Sequence, residues 1–178
     1  MGNEKSLIDL LVEELSRECY YEPAADWAFE GLDITKEDVY LPRIATAGSA
    51  GADFFLPYDL ELGPNEEAKI PTGVKAHCHR FTRLSIVPKS GLGFKYYVRL
   101  ANTIGTIDED YYGNPGNDGM IFVKIRNEGT KTLSLKKGDA FCQGIFELYI
   151  PDRDFNAATL KEREGGFGST NSKGKEAN

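Results

Sequence analysis

No stretch of this sequence approaches the roughly 18 consecutive apolar residues of a membrane-spanning helix, and its N-terminal region lacks a basic segment followed by an apolar one. A spanning helix and a secretory leader are therefore not expected. Cysteine is scarce: Cys19, Cys78 and Cys142 are odd in number and share no short spacing, which argues against a disulfide framework and for free thiols in a reducing compartment. His77-Cys78-His79 comes nearest to a metal motif. It lacks the paired spacing of zinc ligands, and in an extended strand its thiol faces opposite to both imidazoles. Basic charge is also short. With 21 Lys and Arg against 28 Asp and Glu the net charge is −7, which argues against nucleic acid or an anionic membrane as the main partner. Any anionic ligand must then be held by local donors. A soluble, cytoplasmic protein is the expectation.

What the chain does have is 40% hydrophobic content over 178 residues, enough for one core and too short for two ordinary domains. Leu7, Leu11 and Leu15 recur at helical spacing with Ile8 and Val12 beside them, and Ser6 is placed to cap. Residues 6–17 thus read as one amphipathic helix, whose apolar stripe must pack on its own domain or on a neighbouring subunit. Tyr20-Tyr21-Glu22-Pro23 is expected to end it, and the chain to about Lys36, with the sole Trp27, reads as irregular or partly helical.

From Val39 to about Ile150 the pattern changes to short apolar or alternating runs divided by Gly, Pro, Asn and Asp. Ala52 to Pro57, Leu84 to Val87, Ile121 to Arg126, Thr132 to Leu135 and Phe141 to Ile150 are such runs. In the third, Ile121, Val123 and Ile125 share one face and Phe122, Lys124 and Arg126 the other. Many short strands at close intervals predict an all-β sandwich or barrel. The tail is polar and rich in Gly, Ser and Lys, too poor in apolar residues for a core, and reads as a flexible arm. The expected division is a helical extension over 1–38, a β-domain over 39–155 and an arm over 156–178.

Site chemistry concentrates between Pro88 and Gly113. Pro88-Lys89-Ser90-Gly91 sets a cation, a hydroxyl and a glycine at the end of a β-patterned run, which suits an anion seat of backbone N–H groups. Gly105-Thr106-Ile107-Asp108-Glu109-Asp110-Tyr111 follows with three acids and an aromatic ring. Taken alone, Asp108 and Asp110 read as turn carboxylates and Tyr111 as a packing residue; beside an anion seat, the carboxylates suggest cleavage of a phosphate ester or anhydride.

These two segments resemble motifs of the trimeric dUTP diphosphatase (dUTPase) family, and so, in the same order, do Ala47-Gly48-Ser49-Ala50-Gly51-Ala52-Asp53, Gly138-Asp139-Ala140-Phe141-Cys142-Gln143 and Gly165-Gly166-Phe167-Gly168-Ser169-Thr170. The resemblance spans roughly Val39 to Thr170 and leaves the N-terminal segment outside. It implies a jelly-roll-like β-fold and hydrolysis of dUTP to dUMP and pyrophosphate. Asp108 would hydrogen-bond the sugar 3′-hydroxyl and act as general base toward the attacking water, and Tyr111 would leave no room for a 2′-hydroxyl. A tight hairpin from Ala101 to Tyr111, holding Gly105, Thr106 and Ile107, would read uracil through its backbone, with Asn102 on the base. Lys89, Ser90, Gly91 and Gln143 would meet the triphosphate, although Gln143 reads equally as a buried amide bonded to backbone. Asp53 would touch Mg²⁺ through a bound water. Arg163, Phe167, Gly168 and Ser169 would close over the nucleotide, and three chains would build each site, making a homotrimer.

The chain departs from the family pattern in places. Lys89 stands where Arg is common, which removes the bidentate fork. Glu162 takes the place of the usual arm arginine, with Arg163 one position later, Asn171 replaces a usual glycine, and Asn114 to Gly119 looks like a short insertion. Two other readings are a dCTP deaminase of the same fold, whose catalytic Glu would fall at Lys124, three residues before Asn127, and a dUTPase-like regulatory module with a partner at the N-terminal helix.

Overall fold

Ser6 opens the first helix in the computed structural model, which describes residues 5–156. Its hydroxyl accepts from the Asp9 amide while the Asp9 carboxylate accepts from the Ser6 amide, a reciprocal cap that starts α1 (Leu7–Glu18). No α1 residue is buried, and Leu7, Ile8, Leu11 and Val12 all stand more than half exposed. Tyr20–Pro23, expected as the irregular end of this helix, is instead a strand, β1. The other strands are β2 (Arg43–Ile44), β3 (Ala52–Phe55), β4 (Leu60–Leu62), β5 (Glu67–Pro71), β6 (Val74–His77) and β7 (Thr82–Pro88), then, after a short helix α2 (Ser90–Tyr96), β8 (Val98–Leu100), β9 (Gly105–Ile107), β10 (Phe122–Asn127), β11 (Leu133–Leu135) and β12 (Ala140–Leu148).

The expected all-β architecture is present. A five-stranded sheet runs β2-β3-β12-β7-β9 and a three-stranded one β5-β10-β8, with the pairs β1-β6 and β11-β4 beside them, all antiparallel. Alternation does the sorting: Ile121, Val123 and Ile125 are buried while Lys124 and Arg126 face outward. These apolar residues meet Phe54, Leu84, Ile86 and Phe141 of the larger sheet in one core. Each such side chain contributes about 1.5–3 kcal/mol on full burial.

Tyr20 to Asp38 is built onto these sheets. The strand β1 pairs with β6 at Tyr20↔His77 and Pro23↔Val74, and Ala24, Phe29 and Ile34 form a second buried cluster with Met120. Cys78 is buried, and His77 stacks on Tyr20 with ring centroids 4.9 Å apart.

The expected hairpin from Ala101 to Tyr111 is not formed as such. Its flanking strands join different sheets, since β8 pairs with β10 and β9 with β7. Residues 101–104 therefore carry the chain from one sheet to the other, through a turn in which Thr103 takes φ 66° and its amide donates to the Leu100 carbonyl at 3.1 Å. Val98 and Leu100 are held in the core on the β10 side, so the chain has to cross before β9 can pair.

Candidate active site

Antiparallel pairing of β9 with β7, with Gly105 opposite Ile86 and Ile107 opposite Leu84, fixes backbone that lines a pocket. A side chain at position 105 would not fit freely, because an added Cβ would lie 3.2 Å from the Ile86 Cβ. Asn102, Gly105, Thr106, Ile107, Asp108 and Tyr111 all line this cavity of about 520 Å³. Ile86, Leu100, Ile121 and Val123 supply its apolar surface, and Lys69 and Lys124 also border it. A volume of that size suits a small ligand with one ring system.

Asp108 directly precedes a single turn of 3-10 helix, Glu109–Tyr111. The Tyr111 amide donates to the Asp108 carbonyl at 3.1 Å, so the turn folds the ring back beside the acid that precedes it. The ring is only 8% exposed. Its hydroxyl donates to the Met120 carbonyl at 3.2 Å and accepts from Asn117 Nδ2 at 2.7 Å.

A second group of polar side chains forms across β3, β12 and β7. Register sets Asp53 opposite Gln143 and Gln143 opposite Val87, and the Lys89 ammonium donates to both Asp53 oxygens, at 2.7 and 2.8 Å. Gln143 Nε2 donates to Asp53 Oδ1 at 2.9 Å, so its amide is bonded to a carboxylate rather than to backbone. Burial pushes the Asp53 pKa upward, but the hydrogen bonds from Lys89 and Gln143 and the charges of Lys89 and Arg43 outweigh it and hold the group below the usual carboxylate range. Lys89 also caps α2. Ser90 and Gly91 open that helix, where first-turn amides have no intrahelical acceptor, and nothing lies within 4 Å of where a Gly91 side chain would project.

The two groups lie toward opposite ends of β7. Asp108 follows Ile107, which faces Leu84, so its level on the sheet is that of Arg83, whereas Lys89 and Ser90 come after Pro88. The five residue steps from Arg83 to Pro88, at about 3.3 Å each, put roughly 17 Å of strand between the level of Asp108 and the start of the second group. Arg163, Phe167, Gly168 and Ser169 fall outside the described residues.

The all-β chain thus carries an apolar pocket edged by a carboxylate and, separately, a lysine and a serine at the start of a helix. Comparison with known proteins gives the family. The dUTPase family model matches residues 37–171. The deoxyuridine 5′-triphosphate nucleotidohydrolase of Lactococcus lactis is 36% identical over 133 residues, covering 74% of this chain and 88% of that protein. The crystal structure of dUTPase from Streptococcus mutans superposes with a TM-score of 0.62 at 32% identity, covering 75% of this chain and 98% of that one. A dUTPase mutant from phage phi11 of S. aureus, whose structure is described as revealing the coordination of a structural Mg(II) ion, shares the fold at a TM-score of 0.58 and 17% identity, covering 78% of this chain and 96% of that one. The chain belongs to the dUTPase family.

Three residues around the pocket escape a reading of motifs. Lys69 and Lys124 look like ordinary solvent-facing positions of alternating strands, and only the pairing of β5 with β10, which sets them opposite each other, shows that they share a surface. Asn117 sits in turn-forming sequence, Asn-Pro-Gly-Asn-Asp-Gly, which signals a loop but not that one amide faces Tyr111.

Proposed function

We propose that the protein hydrolyses dUTP to dUMP and pyrophosphate at the pocket beside β9. The observation that carries this is the convergence of the Gly105–Ile107 backbone, Asp108 and Tyr111 on one cavity sized for a nucleoside. Uracil lies against the β9 backbone and Asn102, and the deoxyribose lies on the Tyr111 ring. A buried ring fixed at its hydroxyl cannot yield to a 2′-hydroxyl, so UTP is excluded by steric conflict. Asp108 accepts a proton from a water whose oxygen attacks the α-phosphorus. The bond from that phosphorus to the α–β bridging oxygen breaks, and pyrophosphate leaves with the electron pair.

The triphosphate is taken by Lys89, Ser90, Gly91 and Gln143. One chain holds Asp108 at the level of Arg83 and Ser90 beyond Pro88, so roughly 17 Å of β7 lies between the pocket's acid and the start of the seat. The pocket and the seat of one chain are thus set apart, which supports a homotrimer whose sites combine the pocket of one subunit with the seat of the next. Arg163, Phe167, Gly168 and Ser169 would complete the site from the arm.

The residues present fit Mg²⁺ delivered on the substrate. Among the described residues no group of three or more His, Cys, Asp or Glu is placed to hold a metal, but Mg²⁺ keeps several waters and needs only one or two carboxylates when phosphates supply the rest. Asp53, held in its ionised form, would accept a hydrogen bond from a metal-bound water. The ion would offset phosphate charge as it develops on the leaving group. In the deaminase reading the catalytic Glu position is occupied by Lys124, whose ammonium is paired with Glu67.

Asp108→Asn tests this assignment. Nucleotide binding and fold should persist while turnover falls by about 10²–10⁴-fold, the usual worth of a general base. Near-normal turnover would remove Asp108 from the role.

A further inference from the structure

We infer that Asn117 is a positioning residue for sugar selection, acting through the hydroxyl of Tyr111; the inference rests on the role proposed above for the Tyr111 ring. Asn117 Nδ2 donates to Tyr111 Oη at 2.7 Å and to the Met120 carbonyl at 3.2 Å, and the same carbonyl accepts from Tyr111 Oη at 3.2 Å. The three groups close a triangle behind the ring. A phenol pinned by one acceptor can still pivot, whereas one held by a donor and an acceptor cannot swing without breaking both.

The loop that presents Asn117 is itself fixed. Asn117 Oδ1 accepts from the Gly119 amide at 3.1 Å, and Asp118 and Gly119 both take left-handed backbone, φ 56° and 78°. Gly119 has no room for a side chain, since an added Cβ would lie 2.6 Å from the Tyr111 carbonyl oxygen. Asp118 then ties the loop to the N-terminal segment. Its carboxylate accepts from the Ala25 amide at 2.6 Å and from Lys75 Nζ at 2.9 Å, and Lys75 also reaches Glu22 at 3.2 Å. The Lys75 ammonium lies 4.6 Å from the Tyr112 ring centre, and Tyr112 donates to Glu22. The residues outside the family motifs, β1 and the Asn114–Gly119 insertion, thus form one brace that ends on the tyrosine of the pocket.

The test is a double-mutant cycle on kcat/KM for dUTP and for UTP, using Asn117→Ala, Tyr111→Phe and the two combined, with Tyr111→Ala as reference. Asn117→Ala should lower the dUTP-over-UTP ratio by roughly three- to tenfold, the worth of one hydrogen bond, chiefly by raising activity on UTP. In the Tyr111→Phe background the same substitution should change the ratio less than twofold, because the group it acts through is gone. Equal effects in both backgrounds, or a loss of activity on both nucleotides with the ratio unchanged, would overturn the inference and leave Asn117 as a loop residue. If Tyr111→Ala itself leaves the ratio unchanged, the reading of Tyr111 fails, and the inference with it. A reduced ratio in Tyr111→Ala with none in Asn117→Ala overturns the positioning role alone.

Discussion

Replacing Lys89 with methionine removes the ammonium from the Asp53 carboxylate while keeping most of the aliphatic stem. Asp53 is only 8% exposed, and two of its hydrogen bonds come from this one lysine. Removing one partner of a buried ion pair costs about 3–5 kcal/mol. Here the lysine side chain is 33% exposed, so solvent screening brings the expectation to roughly 1–2 kcal/mol at neutral pH. The sign of the pH dependence follows from the depressed Asp53 pKa. In the parent protein the folded-state pKa lies below the unfolded value of about 3.9, so the stabilisation is present above that value and is lost as pH falls through the folded pKa. In Lys89→Met the main depressing partner is gone, and burial is opposed only by the Gln143 hydrogen bond and the charge of Arg43, so the folded-state pKa rises relative to the parent. The variant then loses less stability through this group on acidification than the parent does. Urea unfolding of both proteins at pH 7 and about pH 4, at one fixed protein concentration, should show a gap that narrows at the lower pH. The same gap at both pH values would refute the coupling of Lys89 to a buried, ionised Asp53.

Subunit exchange offers a direct check on shared sites: Ser90→Ala and Asp108→Asn, each impaired alone, should regain activity when unfolded together and refolded as a mixture, and the absence of any recovery would count against a site built from two chains. A chain ending at Leu160 should keep the fold and oligomeric state of the parent by circular dichroism and light scattering, yet lose activity by orders of magnitude on dUTP; full activity would remove Arg163, Phe167, Gly168 and Ser169 from the site.

Strand β10 was legible because its apolar residues alternate and both of its neighbours are strands, so burial on one face coincides with the pattern. The strand β1 was not, since Tyr-Tyr-Glu-Pro has no clear period and its partner β6 is remote in sequence. Motif order placed Asn102, Gly105, Asp108 and Tyr111 in one region, and they do line one cavity. The same order could not show that Lys89 is bonded to Asp53, because that contact depends on the register of three strands. Nor could it show that β8 and β9 belong to different sheets. Spacing alone fits a hairpin, and the distinction comes from which core each strand faces.

The position of β12 has a consequence for how the molecule comes into being. It lies between β3 and β7 in the large sheet, yet it follows both in sequence, and the bond from Gln143 to Asp53 spans 90 positions. During synthesis β3 and β7 leave the ribosome with their inner edges unpaired and wait for a strand not yet made. Pairings this distant are slow to close, and open edges are where chains stick to one another. A nascent chain halted before Ala140 would hold every residue of the pocket beside β9 and still lack the central strand that joins its sheet. Such a chain is a candidate for capture by chaperones, and the interval before β12 emerges is when the protein is most exposed to aggregation.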